Sequence, residues 1–530
     1  MVVSQNDIAS RIGVAVLQEG GSAVDAAVAT AFALAVTHPT AGNIGGGGFL
    51  VYRPAEGKPV AYDFRETAPT GSHPEMWLED GEYSFQRHHM SHMAVGVPGT
   101  VAGLYMAWED EGKLPWKRLV TPAIELARDG ITVTHGLAAS LERVLPRMRK
   151  YPASVAQFSR DGEPYRPGDR LVQQDLADSL QRIADRGPQG FYEGRTAELI
   201  VAEMERGGGL ITLADLAGYE PKRRDPVRGT YRGYEILSMP PPSSGGTIMI
   251  EMLNILEGYD LARLGFGTRA TLHRMTEAMR RAYADRARFL GDPDFNPDLP
   301  VDRLTSKRYA DELRATIDLE YASGSDPEQF TWPIESEETT HFSVVDADRN
   351  AVSLTYTLEW GYGSAITVPG GGFLLNNEMG DFNAGPGLTN DQGLIGTPAN
   401  LAEPGKRMLS SMSPTIVARD GELFMVTGTP GGRTIINTVM QTILNVVDHG
   451  MSAQAAVDAG RIHHQWLPDT LYYEKNGFSL DSLNGLRSMG HSLEQRDAQG
   501  AAEVIVVNPK TGVLEGGVDL RVPDGGAAGY

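Results

Sequence analysis

The chain contains no cysteine among its 530 residues. That excludes disulfide bridges, a thiolate nucleophile and Cys-ligated zinc, and it leaves the compartment open. Basic residues are in the minority. Lys and Arg number 47 against 68 Asp and Glu, a formal net charge of −21. A surface of that sign repels phosphate backbones and anionic lipid, which argues against nucleic-acid and membrane partners. Long apolar runs are also missing. The longest, Ala26 to Val36, is too short to span a bilayer and follows Asp25 directly. It reads as a buried core helix. No charged start and apolar stretch mark a signal peptide. Met1 leads straight into sequence with a folded look, so the expectation is that an upstream piece is missing.

What is present is ordinary soluble composition, with 41% hydrophobic and 22% charged residues, enough for a sizeable core. Asp7 to Leu17 has helical spacing and stops at Gly20-Gly21. Ser22 and Asp25 form a variant capping box for the next helix. Gly45 to Gly48 then enter the apolar Phe49-Leu50-Val51-Tyr52. The run lacks the Gly-Lys-Ser/Thr ending of a phosphate loop, so it points to close backbone packing or a nearby ligand. Arg65 follows a strand ending near Phe64, where a guanidinium can grip a carboxylate. His88, His89 and His92 have no zinc spacing and read as a solvated loop. Residues 100 to 310 read as mainly helical, including Thr121 to Arg128 with Thr121 as N-cap and Pro122 first in the helix. Ser238 to Gly246 reads as a rigid turn entering another helix, and Leu272 to Leu290 as a helix. Residues 318 to 338 are polar and acidic, a mobile connector.

Thr339 to Asp346 reads as a strand, Ala347 to Asn350 as a turn, and Asn350 to Leu358 as a second strand. In the second, Val352, Leu354, Tyr356 and Leu358 take one face and Ala351, Ser353, Thr355 and Thr357 the other. Pairing Asp346 with Ala351 sets Thr339 opposite residue 358 and brings Thr357 within one residue of it. A cut between Glu338 and Thr339 would give Thr339 a hydroxyl and a free α-amine. With a pKa of roughly 8, that amine serves as the residue's own general base. Glu378 and Asp381 leave a later strand end and can hold an ammonium. Residues 383 to 407 form a long loop of the kind that serves as a lid. Asp420-Gly421 marks a hairpin. Gly431 and Gly432 precede a helix from Arg433 to Val447, where amides can receive an oxyanion. His463-His464 has no acid in metal spacing and reads as packing, and Val504 to Val518 as a last hairpin.

Taken together, these motifs resemble the γ-glutamyltranspeptidases, or glutathione hydrolases, in family order along essentially the whole chain. The carriers are Gly20 to Ala27, Thr37-His38-Pro39, Gly42 to Phe49, Asp63 to Glu66, Pro240 to Gly246, Thr339 to Asp346, Leu374 to Phe382, Ser410 to Pro414 and Pro430 to Gly432. The resemblance implies an α+β fold, a four-layer αββα sandwich of the N-terminal-nucleophile hydrolase type. It implies self-cleavage before Thr339 into a large segment, 1–338, and a small one, 339–530, intertwined in one domain and kept as a heterodimer. It assigns Thr339 as nucleophile, Thr357 as its partner, Gly431 and Gly432 as oxyanion donors, Arg65 and Ser410 to the substrate α-carboxylate with Ser411 adjoining, and Glu359, Glu378 and Asp381 to its α-ammonium. Substrates would be small γ-glutamyl compounds, with water or amino acids and peptides as acceptors, and without cofactor or metal. A periplasmic or extracellular location goes with it. Glu359 stands where some members have Asn, and Gln392 where some have a gating Tyr. Two other readings remain open. A cephalosporin or glutaryl acylase of the same fold would have no use for the ammonium-binding acids. A binding protein that never processes would keep the chain intact.

Overall fold

The computed structural model describes residues 1–325, 339–388 and 397–530. In chain order its main strands are β1 (Val2–Ser4), β2 (Gly47–Arg53), β3 (Val60–Phe64), β4 (Lys222–Arg224), β5 (Val227–Tyr231), β6 (Tyr234–Ser238), β7 (Thr340–Val345), β8 (Ala351–Thr357), β9 (Thr415–Arg419), β10 (Glu422–Gly428), β11 (Glu503–Val507), β12 (Leu514–Val518) and β13 (Gly526–Ala528). Seven form one antiparallel sheet in the order β13-β1-β7-β8-β2-β3-β4. The other six form a second in the order β12-β11-β10-β9-β6-β5. Each sheet draws strands from both sides of position 339.

The helices that matter here are α1 (Asp7–Gln18), α2 (Ala23–Thr37), α3 (Trp116–Asp129), α4 (His135–Met148), α5 (Gly245–Glu257), α6 (Arg269–Phe289) and α7 (Thr434–Val447). Side-chain alternation divides the layers. Leu50 and Tyr52 of β2, Phe342 and Val344 of β7, and Leu354 and Tyr356 of β8 join α2 and α3 in one core. Phe49, Val51 and Val345, one residue out of phase, join Ile236, Val417, Met425 and residues of α5, α6 and α7 in another. The result is helix, sheet, sheet, helix, the expected sandwich. α2 is buried all round, as its apolar run requires. It starts at the capping box that Ser22 and Asp25 spell out.

Polar side chains stitch the sheets together. Ser353 Oγ donates to the Thr427 carbonyl at 3.0 Å and accepts from Thr415 N at 2.9 Å. Ser343 Oγ donates to the Glu503 carbonyl at 3.2 Å. His341 bridges Thr355 at 2.9 Å and Ser343 at 3.1 Å. Burial pushes its pKa down to about 3, so the ring is neutral.

Several expectations need correction. The hairpin register is shifted by one residue: Val345, not Asp346, faces Ala351, so the turn is one residue longer. The Asp346 side chain folds over the turn instead and accepts from Asp348 N at 3.0 Å and Asn350 N at 2.9 Å. α3 begins at Trp116, not at Thr121. Its apolar face starts with Trp116, Leu119 and Val120, and that burial carries the helix through Pro122. His88 and His89 end a short helix, Phe85–His89, and are buried, as is His92; apolar and aromatic neighbours take the place of solvent. The helical stretch 100 to 310 also holds β4, β5 and β6. His464 does meet an acid, with Nε2 3.1 Å from Asp469 Oδ1. The start of the supposed mobile connector is tied down: Ala322 N donates to the Met489 carbonyl at 2.7 Å and Ser325 N to Asp469 at 2.8 Å. Its remainder, with Glu338, lies outside the described residues, as does Gln392 in the long loop. Among the described residues of that loop, Pro398–Asn400 forms a short 3₁₀ helix.

Candidate active site

Thr339 stands immediately before β7, the second-sheet side of which carries His341 and Ser343. The shifted register places it level with Thr357 at the end of β8. The Thr339 hydroxyl donates to the Thr357 hydroxyl at 3.4 Å, and Glu359 N donates to the same Thr357 oxygen at 2.9 Å. Both threonines are buried. A nucleophile here sits where the two sheets open, held by the rigid centre of the fold.

The glycine run explains how β2 approaches this strand. A Cβ at Gly46 would lie 2.0 Å from the Thr357 carbonyl oxygen, and one at Gly47 2.6 Å from Glu66 Oε2. Only glycine allows that packing. Asn43 locks it, donating to the Thr357 carbonyl at 2.9 Å and accepting from Gly46 N at 3.0 Å. Close packing was thus legible in the run, whereas the Asn43 brace was not read from it.

Arg65 emerges from β3 into a fully buried position. One guanidinium nitrogen bonds Glu378 and the other Asp381. The Met408 and Leu409 carbonyls accept at 3.4 and 3.3 Å. Burial alone would lower the Arg65 pKa; Glu378, then Asp381 and Glu66, outweigh it and raise it. Glu66 stands behind, 3.9 Å from Arg65. Burial pushes its pKa up to about 8, against the downward pull of Arg65. Glu378 and Asp381 occupy a 3₁₀ turn, Glu378–Asp381, rather than a strand end. The preceding Asn376 spends its side-chain amide on the Gly45 and Gly96 carbonyls, both at 2.9 Å. Glu359 takes a left-handed φ of 76° just past β8, the kind of outlier that marks functional loops. Asn377 bonds its carboxylate, and His89 Nδ1 lies 3.5 Å away.

Ser410 and Ser411 are presented by a scaffold that the sequence did not reveal. Ser244 N and Oγ donate to the Ser410 carbonyl at 2.8 and 2.6 Å. Arg286 of α6 donates to Ser411 Oγ at 2.8 Å and Ser244 Oγ at 2.7 Å. The Pro240 to Gly246 turn therefore braces the serine loop. Gly431 has a φ of 131° and Gly432 one of 51° immediately before α7.

Arg65, Thr339, Thr357, Glu359, Glu378, Asp381, Ser410, Ser411 and Gly432 all line one pocket. Of the described sequence-derived candidates, Gly431 is not among these lining residues but adjoins Gly432. The cavity measures about 20 Å³, room for about one water. The arrangement offers a hydroxyl nucleophile, one cation for a carboxylate and several acids for a cation, all in a low-dielectric setting where such contacts are strong.

Comparison with known proteins bears on the same residues. The family model Gamma-glutamyltranspeptidase matches residues 9–530. A glutathione hydrolase proenzyme of Escherichia coli is 48% identical over 538 aligned positions, covering 100% of this chain and 92% of that protein. Among solved structures, a Helicobacter pylori gamma-glutamyltranspeptidase is similar at 46% identity and TM-score 0.59, covering 60% of this chain and 91% of the solved one. A cephalosporin acylase from Bacillus halodurans is similar at 29% identity and TM-score 0.87, covering 100% of this chain and 95% of that one.

Proposed function

The chain belongs to the gamma-glutamyltranspeptidase family, and from that premise we propose that it cuts itself before Thr339 and then cleaves γ-glutamyl amides, glutathione among them. The observation that carries this reading is the paired hydroxyls of Thr339 and Thr357 on the wall of the pocket that holds Arg65, Glu359, Glu378 and Asp381.

In the uncut chain the nitrogen of Thr339 is a peptide nitrogen and cannot act as a base. Attack of the Thr339 hydroxyl on the carbonyl of residue 338 breaks the peptide C–N bond, giving an ester and freeing the Thr339 amine; hydrolysis of that ester then releases the carboxylate of residue 338 and restores the hydroxyl. The products are segments 1–338 and 339–530. Both sheets combine strands of the two segments, which supports their staying together as a heterodimer. That the similar H. pylori chain spans 60% of this one accords with a large segment of this size.

Catalysis then follows from the site. The substrate α-carboxylate binds Arg65 with Ser410 and Ser411. Its ammonium binds beside Glu378 and Asp381, with Glu359 adjoining. The Thr339 hydroxyl attacks the γ-carbonyl as its own amine accepts the proton. The Gly431 and Gly432 amides receive the oxyanion. The amine gives the proton to the departing nitrogen, leaving a γ-glutamyl ester on Thr339. Water or an acceptor amine attacks that ester, releases glutamate or a new γ-glutamyl amide respectively, and restores the hydroxyl. No described helix is long and apolar enough to cross a membrane. A periplasmic or extracellular site of action accompanies this reading, and fractionation of the source cells tests it.

The acylase reading is separated by substrate. A glutaryl amide lacks the α-ammonium and leaves three acids unanswered. Turnover of γ-glutamyl-p-nitroanilide well above that of the matching glutaryl anilide is the expected result. The reverse preference would overturn the assignment.

A further inference from the structure

Three acids, Glu359, Glu378 and Asp381, line the pocket beside Thr339. Arg65 reaches Glu378 and Asp381. Glu359 is met by other residues. The Asn377 side-chain amide bonds one carboxylate oxygen, Oε2, and also donates to the His89 carbonyl at 3.3 Å. His89 Nδ1 lies 3.5 Å from the other oxygen, Oε1. His89 and Glu359 are both buried.

The fold aims His89 at this carboxylate through its neighbour. Burial, and then the adjacent His89, hold the His88 pKa well below its ordinary value, so that ring is neutral. The Met379 carbonyl can only accept. His88 Nε2 therefore carries the proton and donates to it at 3.2 Å, while Nδ1 accepts from the Tyr83 hydroxyl at 3.1 Å. This pins the short helix Phe85–His89 to the turn Glu378–Asp381. Gly380 of the same turn presses on the pair: a Cβ there would lie 2.4 Å from His89 Nδ1 and 3.1 Å from Glu359 Oε1. The rings of Phe85, 4.7 Å away, and Trp360, 5.7 Å away and within 12° of parallel, fix the His89 plane.

We propose that His89 is a positioning residue for the donor site: its Nδ1–H donates to Glu359 Oε1 and holds that carboxylate toward the substrate α-ammonium. The proposal rests on the γ-glutamyl reading above. The 3.5 Å separation is at the long end for a hydrogen bond, and such contacts tighten when the ligand arrives. The backbone of Glu359 is already fixed, with a φ of 76° and its amide donating to Thr357 Oγ1 at 2.9 Å. Its carboxylate needs separate anchoring. With Oε2 on Asn377 and Oε1 on His89 the carboxylate plane is set, and lone pairs on both oxygens remain for an ammonium. A carboxylate ordered in advance loses less entropy when the substrate binds. The ammonium is held alike in the ground state and the transition state, so the benefit falls on KM rather than kcat.

A buried imidazole between aromatic rings can also serve packing alone, and two substitutions separate the roles. His89→Phe keeps a stacked ring and removes the nitrogen. His89→Asn removes the ring and puts an amide N–H where Nδ1 stands. Steady-state kinetics on γ-glutamyl-p-nitroanilide read both, with the self-cleaved fraction as the check of folding. His89→Phe is expected to raise KM about fivefold, the scale of one ordinary hydrogen bond, with kcat close to wild type. His89→Asn keeps a KM close to wild type. In a Glu359→Ala background, His89→Phe has no further effect on KM. His89→Leu takes the place of His89→Phe if the larger ring does not fit. A wild-type KM in the variant without the nitrogen, a loss in His89→Asn alone, or an equal loss in the Glu359→Ala background would each overturn the positioning role and leave the γ-glutamyl reading standing. A wild type that does not turn over the anilide would overturn that reading, and the role of His89 with it.

Discussion

Replacing Arg65 separates its two jobs. In the free protein it neutralises Glu378 and Asp381, with Glu66 3.9 Å behind it. Arg65, Glu66 and Glu378 are each no more than 1% exposed. Arg65→Gln leaves those acids without a cation. Removing one partner of a buried pair costs about 3–5 kcal/mol, and that is the expected loss of unfolding free energy above neutral pH. The loss shrinks on acidification, because carboxyls raised in the folded state are stable when protonated and destabilise as pH rises through their folded pKa. Burial already raises Glu66 to about 8 with Arg65 present, so the variant's penalty grows across the window from the ordinary carboxylate range up to that value and beyond. Arg65→Lys keeps a charge but not the fork that reaches two acids at once. Losing one charge-assisted contact to the substrate, about 1.5–3 kcal/mol, lowers kcat/KM about 10- to 150-fold. Urea unfolding at several pH values and steady-state kinetics on γ-glutamyl-p-nitroanilide read both effects. Arg65→Lys at full kcat/KM, or Arg65→Gln as stable as wild type in alkaline buffer, would refute the reasoning.

Two other perturbations probe the oxyanion site and the inter-sheet layer. Gly431→Ala forces an L-residue to a φ of 131° and puts its Cβ 2.4 Å from Thr434 Oγ1. The displaced amides are expected to cost about 10²–10³-fold in kcat, with a smaller change in KM, as initial rates at saturating donor would register. His341 is neutral when folded, with a pKa lowered by burial to about 3. Its contribution is complete above the unfolded value of about 6.5 and is lost as pH falls from there toward 3, at about 1.4 kcal/mol per pH unit. His341→Gln should therefore flatten the acid side of a stability-versus-pH curve, and an equally steep curve in the variant would contradict the assignment.

How much of this was legible in the sequence depended on the range of the interaction. Local signals worked. The capping box at Ser22, the alternation of β8 and the Asp420-Gly421 turn each report on contacts a few residues apart, and the structure has them. The hairpin register missed by one residue because Asp346 spends its carboxylate on the turn. α3 ran through a proline that reads as a start, since the burial of Trp116 and Leu119 outweighs one lost backbone bond. His88 and His89 looked exposed although Trp77, Tyr83 and Phe85 lie close by in sequence, because only the fold turns those rings onto the histidines and brings Trp360 against His89. In the site, a glycine run or a lone arginine is ambiguous alone; only the order of all the motifs marked them as functional. The brace from Arg286 to Ser411, spanning 125 positions, left no local trace.

The central claim is that Thr339 becomes an N-terminal nucleophile. Intact mass and N-terminal sequencing of freshly purified and incubated protein, beside Thr339→Ala, test it most directly. The account predicts two fragments with a new N-terminus at Thr339 in the wild type, and a single inactive chain in the variant. A wild type that turns over γ-glutamyl-p-nitroanilide while remaining uncut, or cut elsewhere, would contradict it.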